Sequence, residues 1–201
     1  NIRKLSDELY QQQRVQRQLS GAVLGLRLAS VGELIPRVER IIRETCRQTG
    51  KQANITIHGQ DLQVDTDILK GLADPLLHLL RNAVDHGIET PEQRKELKKP
   101  ESGVLSLNFS QSGNHVTLVL RDDGAGMDPE RIRARAIERG LLGAEQNISH
   151  EKLLRLVLLP GFSTLDEVSE VSGRGVGMDV VQAAIEALRG TLKLDSTPGE
   201  G

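Results

Sequence analysis

Residues 76–86 place three polar side chains in the middle of a leucine-rich helical run. On a helix His78, Asn82 and Asp85 stand at i, i+4 and i+7 and emerge from one face, while Leu76, Leu79, Leu80 and Val84 cover the neighbouring surface. The leucines demand a second layer of structure to bury them, and polar groups set in a stripe against a core need partners. A polar stripe satisfied within the fold explains the pattern as well as a ligand site does. As a site, Asn82 offers a neutral carbonyl to Mg²⁺, which keeps most of its waters, and Asn and His atoms can meet phosphate oxygens.

The flanking sequence supplies that layer. Pro36 predicts the start of a helix running to Arg47, with Val31, Leu34, Val38, Ile41 and Ile42 giving an apolar face and Gly50 stopping it. A short strand is expected over Asn54–His58. Asp65 or Thr66 then caps a helix that should break near Pro75 and resume over Leu76–His86. Residues 89–102 are rich in Glu, Lys and Pro, and the charge run Arg94–Lys99 reads as a wet surface. Strands over 103–111 and 115–122 follow, turning at Gly113 and Asn114, with Val104, Leu105, Leu107 and Phe109 facing Val116, Leu118 and Leu120. The fold class expected is α+β, an antiparallel sheet with helices on one face, beginning near residue 50.

Ahead of this lies a different pattern. Ile2, Leu5, Leu9, Gln12, Gln16, Leu19, Val23 and Leu26 recur at alternating spacings of three and four, a heptad seam over a helix 2–28. Its two glutamines would weaken a zipper, so the expected product is a weak homodimer; packing within its own chain is the alternative.

Composition narrows the function. The net charge of −2 argues against a chain that coats nucleic acid or an acidic membrane, although the first 50 residues carry +4 and the remainder −6. Tyr10, Phe109 and Phe162 are the only aromatic residues, too few for stacking single-stranded bases. Cys46 is the single cysteine, so a disulfide framework and a thiolate metal cluster are excluded. No apolar run approaches the ~20 residues that span a bilayer. The chain opens with Asn1 and carries no signal peptide, which reads as an internal piece of a cytoplasmic protein.

Two further segments carry chemistry. In Arg121–Asp128, at a strand end, an Asp-x-Gly-x-Gly pattern sets Asp122 beside Gly124 and Gly126, where a flat ligand could approach the backbone. A fixed carboxylate only accepts hydrogen bonds, which suits the exocyclic amine of adenine and repels the carbonyl of guanine. An EF-hand loop is excluded by spacing, because no Glu follows where one is required. The other segment, Gly161–Thr164 followed by Ser172–Asp179, feeds a helix over Val180–Arg189. A glycine-rich turn at a helix start offers N–H groups to phosphates. It is neither a dinucleotide fingerprint, since no βαβ unit surrounds it, nor a Gly-x-x-x-x-Gly-Lys loop.

Together the three segments resemble the N box, adenine box and glycine box of the GHKL ATP-binding family. Residues 78–89, 160–164 and 171–181 are similar to the chemotaxis histidine kinases of the CheA family and their hybrid relatives, including those controlling pilus motility. The resemblance implies a two-layer α/β sandwich of the Bergerat type over 29–201, cut before its last strand and preceded by a dimerisation helix, 1–28. It implies ATP and Mg²⁺ as cofactors. Asp122 would bind the adenine amine, and Asn82 would ligate Mg²⁺ with His86. Arg81, Asp85 and His86 would lie near metal and phosphates. Gly124, Gly126, Met127, Gly173, Gly175, Val176, Gly177 and Met178 would shape the pocket, with Ser163 and Thr164 on a lid spanning 128–172. His78 occupies the place of the glutamate that activates water in ATPase relatives, and an imidazole there could act as acid or base, or simply hydrogen-bond. Leu165 stands where relatives often carry lysine, and Arg131 would supply that charge instead.

The histidines bear on what is phosphorylated. Residues 1–50 contain none, and His58, His115 and His150 are expected in strand or loop settings at the surface. An acceptor histidine is therefore expected elsewhere, on a phosphotransfer domain of the parent chain or in trans. The resemblance implies a response regulator downstream, and a coupling protein and receptor upstream. A clamp-like ATPase and a nucleotide-binding scaffold are the competing readings; nucleic acid and direct membrane insertion are not expected.

Overall fold

The computed structural model of the protein describes residues 27–146, 148–162 and 177–201. The heptad seam thus lies outside the described residues, apart from the end of its helix. There, Leu28 opens a strand instead: β1 (Leu28–Ser30) pairs antiparallel with β3 (Gln63–Asp65), and Arg27 reaches Asp65 and Asp67. Ladder bonds and these ion pairs hold the backbone extended at residue 28.

Ser30 caps a short 3₁₀ turn, Val31–Leu34, that leads into α1 (Ile35–Thr49). Pro36 sits in the first turn, where its missing N–H has no partner to lose, and Gly50 ends the helix in the left-handed conformation at φ 69°. Helix α2 (Thr66–Asn82) is capped by Asp65, whose side chain accepts from Asp67 N–H. It runs through Pro75 without the expected break, because Ala73 and Leu76 on either side are both anchored in the core. The break comes later, as a π turn, Ala83–Gly87, closed by Ile88 N–H on Ala83 O at 2.8 Å.

The main sheet has the order β2-β4-β5, from Ala53–His58, Gly103–Ser112 and His115–Asp122. The antiparallel expectation holds for β4–β5 only; β2 and β4 run parallel, since α2 and a short helix α3 (Pro91–Glu96) carry the chain across between them. Alternation sends Ile55, Ile57, Leu105, Leu107, Phe109, Val116, Leu118 and Leu120 to the helix side, where Val38, Ile42, Leu69, Leu76 and Leu80 complete the core. The core takes in Val31 and Leu34, so the domain starts well before residue 50. Val104 is half-exposed on the opposite face, because it neighbours Leu105 and successive strand residues cannot both point inward. Leu107 is 1% exposed and pairs with Leu120 across the hairpin. Leu107→Ala should destabilise the domain by ~2–5 kcal/mol in urea unfolding.

A second, smaller core joins α4 (Pro129–Glu138) and α5 (His150–Leu156) through Ile132, Ala136, Leu153, Leu154, Val157 and Phe162. Helix α6 (Met178–Ala187) packs on α2, and Leu188 fills the space left by the missing side chain of Gly71.

Candidate functional site

Alternation along β5 decides where its last carboxylate goes. Asp122 pairs with Leu105, one of the inward-facing residues, so its side chain lies on the helix side of the sheet. There it meets the end of the π turn: a Cβ on Gly87 would stand 3.1 Å from Asp122 Oδ1. Gly124 N–H donates to the same oxygen at 3.0 Å. Burial lifts the Asp122 carboxyl above its ordinary range, against that hydrogen bond.

Gly124 and Gly126 stand where the chain comes close to itself. They admit the protein's own backbone: a Cβ on Gly124 would lie 2.2 Å from Gly87 O, and one on Gly126, at φ 68°, would lie 2.4 Å from Thr197 O. The first closeness lets Ala125 N–H donate to Gly87 O at 2.9 Å, which joins the adenine-type turn to the N box. Met127 N–H donates to Ser196 Oγ at 2.7 Å, and its side chain leans with that of Met178 on the smaller core.

On α2, His78 and Asn82 meet one turn apart, with Asn82 Nδ2 3.0 Å from His78 Nε2. The same amide nitrogen is 4.0 Å from Met178 Sδ, so the start of α6 closes over the N box. With Nδ2 turned to these two groups, Oδ1 of Asn82 is left as the acceptor atom of the amide. Arg81 is half-buried beside it. The π turn then shifts the register, so that Asp85 is not simply the next residue along the α-helical stripe. Asp85 Oδ2 is buried without a hydrogen-bond partner and lies 3.6 Å from His86 Nε2. A buried carboxylate oxygen lacking a donor is unfavourable, and a ligand donor or hydrated cation fits it. Among the described residues no three His, Cys, Asp or Glu side chains form a cage for a metal. Mg²⁺ held largely by water and phosphate needs none.

The remaining expected site residues divide simply. Gly177 caps α6 in an extended conformation at φ −86°, and Arg131 is exposed in the first turn of α4. Ser163, Thr164, Gly173, Gly175 and Val176 lie outside the described residues. His58, His115 and His150 are exposed as expected. His150, however, opens α5 next to Glu151 and does not sit in a loop; its Nε2 is 2.8 Å from Ser196 O.

Two groups escaped the sequence reading. Lys51 sends its ammonium to the carbonyls of Val84 and Asp85, supporting the π turn, and burial lowers its pKa against the nearby charges of Asp85 and Glu89. The charge run 94–99 is wet only in part: Lys95, Glu96 and Lys98 are exposed, but Arg94 is 0% exposed and bridges Glu89 and Asp123. Burial alone would raise the Glu89 and Asp123 carboxyls, but hydrogen bonds from Lys99 and Arg94 outweigh it and hold both below their ordinary value. Only the Asp122–Asp123 doublet hinted at a second acidic role, and nothing local pairs residue 94 with residue 123.

An acceptor carboxylate at a strand end and an Asn-bearing helix turn are thus joined backbone to backbone. Residues 71–201 match the family described as histidine kinase-, DNA gyrase B-, and HSP90-like ATPase. The chain belongs to that family. Within the GHKL group it is of the CheA type. It is 41% identical over 201 residues to the chemotaxis protein CheA of Halobacterium salinarum, covering 99% of this chain and 30% of that protein. Identity to the sensor histidine kinase CheAY of Helicobacter pylori is 41% over 182 residues, covering 90% of this chain and 23% of that one. Identity to CheA of Bacillus subtilis is 36% over 200 residues, covering 98% and 30%. The chain thus spans about 30% of the first of these relatives and less of the second. As a member of this ATPase family, the GHKL domain is an ATP-binding one. Among the described residues, no helix is long and apolar enough to cross a membrane.

Proposed function

We propose that this chain is the catalytic domain of a CheA-type protein-histidine kinase, working in the cytoplasm, which passes the γ-phosphoryl group of Mg²⁺-ATP to a histidine on a separate phosphotransfer domain. Asp122 reads the adenine amine through Oδ2, since Oδ1 is engaged by Gly124 N–H. Asn82 presents Oδ1 to Mg²⁺ with His86 beside it, and Arg81, Asp85 and Arg131 act toward metal and phosphates. Bound Mg²⁺-ATP supplies the phosphoryl group and charge neutralisation; the chain supplies position.

One observation carries the choice of kinase over clamp-like ATPase. His78 and Asn82 face each other at 3.0 Å, where the ATPase relatives place a water-activating glutamate. An imidazole engaged by that amide is a poor substitute for a carboxylate base toward water, so the phosphoryl group is kept for an external acceptor. The response regulator downstream, the coupling protein and receptor upstream, and weak dimerisation through residues 2–28 belong to the same reading.

The test is phosphotransfer from labelled ATP. Alone, the chain should incorporate no acid-labile phosphate, and a phosphotransfer domain from its parent protein should become labelled when added. Label on any histidine of the isolated chain overturns the reading. Rapid phosphate release without transfer would favour the ATPase.

A further inference from the structure

Behind the Asp122–Gly126 turn lies an ionic network built from Glu89, Arg94, Lys99 and Asp123. Arg94 grips Asp123 with both arms, Nη2 to Oδ2 at 2.8 Å and Nη1 to Oδ1 at 3.2 Å. Its Nη1 also reaches Glu89 Oε2 at 2.9 Å, and its Nε donates to Pro100 O at 2.6 Å. Lys99 spends its three N–H donors on three acceptors: Glu89 Oε1 at 2.7 Å, Asp123 O at 2.9 Å and Gly124 O at 2.8 Å. Two cations and two carboxylates balance one another. Asp123 Oδ1 further accepts from Val104 N–H at 2.8 Å, tying the turn to the start of β4.

One peptide unit makes this more than a buried salt bridge. The carbonyl that Lys99 holds belongs to Asp123, and the N–H of the same peptide, on Gly124, donates to Asp122 Oδ1. A trans peptide is planar, with its C=O and N–H pointing in opposite directions. Fixing the oxygen from behind therefore fixes the hydrogen in front. Arg94 Nη1 adds a second, longer contact to that carbonyl at 3.3 Å.

We infer that Lys99 and Arg94 are positioning residues for nucleotide recognition, aiming the Asp122 carboxylate through the Asp123–Gly124 peptide. The inference rests on Asp122 reading the adenine amine. Neither cation touches the ligand. Their joint effect is to decide where the acceptor oxygen stands, and hence how sharply an amine is told from a carbonyl.

Calorimetry on the full chain, with ATP and GTP titrated separately in Mg²⁺, tests this. Lys99→Met removes the cation at similar length and should weaken ATP binding about tenfold or more, as expected when a charge-assisted hydrogen bond is lost. GTP binding should barely change, so the preference for ATP contracts. A fall in stability alone, with the variant still folded at the assay temperature, would leave that preference intact. Lys99→Arg should restore most of it by returning donors to the same carbonyls; Arg94→Lys, which keeps the charge but loses the two-armed grip, should weaken ATP binding less than Lys99→Met. If Lys99→Met fails to fold, Lys99→Gln keeps two neutral N–H donors and should show the same contraction in smaller degree. Parent-like affinity and preference in a folded Lys99→Met or Lys99→Gln variant overturns the inference. Comparison with Asp122→Ala separates the two assignments: unchanged ATP affinity there removes Asp122 itself, whereas loss there with a parent-like Lys99 variant removes only the positioning role.

Discussion

Asp122→Asn should lose ATP binding by about 10²-fold or more while making the nucleotide-free domain more resistant to heat. The two effects have one origin. In the parent, Gly124 N–H occupies Oδ1, so the atom left for the ligand is a second acceptor. In the variant Oδ1 can keep that bond, but the atom facing the ligand becomes an NH₂ group, which meets the adenine amine donor against donor. Stability moves the other way. Burial raises the folded-state carboxyl of Asp122 above its unfolded value, so its ionised form works against folding at neutral pH and the penalty fades as pH falls through the folded-state pKa. A neutral amide carries no such penalty. Isothermal calorimetry with ATP and scanning calorimetry without it read the two effects; an unchanged ATP affinity would remove Asp122 from the site, and a lowered unfolding temperature would show that its charge is compensated.

Gly124→Ala should be nearly as damaging to binding, through the backbone alone. A methyl group there would sit 2.2 Å from the carbonyl oxygen of Gly87 and 2.8 Å from Asp122 Oδ1. The first is backbone, and the second is the carboxylate end of Asp122, tied to Gly124 N–H. The Gly87 carbonyl is held by Ala125 N–H, so making room pulls the turn off the N box. We expect a stability loss of ~1–3 kcal/mol, typical of an overpacked interior. ATP affinity should fall by more than that stability loss explains at a temperature where the variant is fully folded. Thermal unfolding and ATP titration on the same preparation check this, and parent-like ATP affinity would show that the contact with Gly87 is dispensable.

Much of this was legible in the chain because it is local. Period-two alternation identified the β4–β5 hairpin and, with it, the strand end from which Asp122 projects. A proline in the first turn and a closing glycine bounded α1. The spacing of His78 and Asn82 placed them together on a helix, and the three boxes carried the family. Each depends only on residues within one or two turns or strand steps of each other.

Tertiary structure decided the rest, wherever the outcome depended on partners distant in sequence. The strand pairing of β2 with β4 follows from the crossover and is parallel; hydropathy looks the same in either direction. Pro75 stays inside α2 because the core anchors both sides of it, and the helix yields instead at residues 83–87, where Lys51 donates to the carbonyls of Val84 and Asp85. Arg94 and Lys99 look like solvated charges in a polar run, yet they are drawn inward by Glu89 and by Asp123, which lies 29 residues beyond Arg94. A sequence determines what charge a side chain carries and how far it can reach. Whether that charge is left in water or spent on a buried carbonyl depends on which backbone the fold brings within about 3 Å of it.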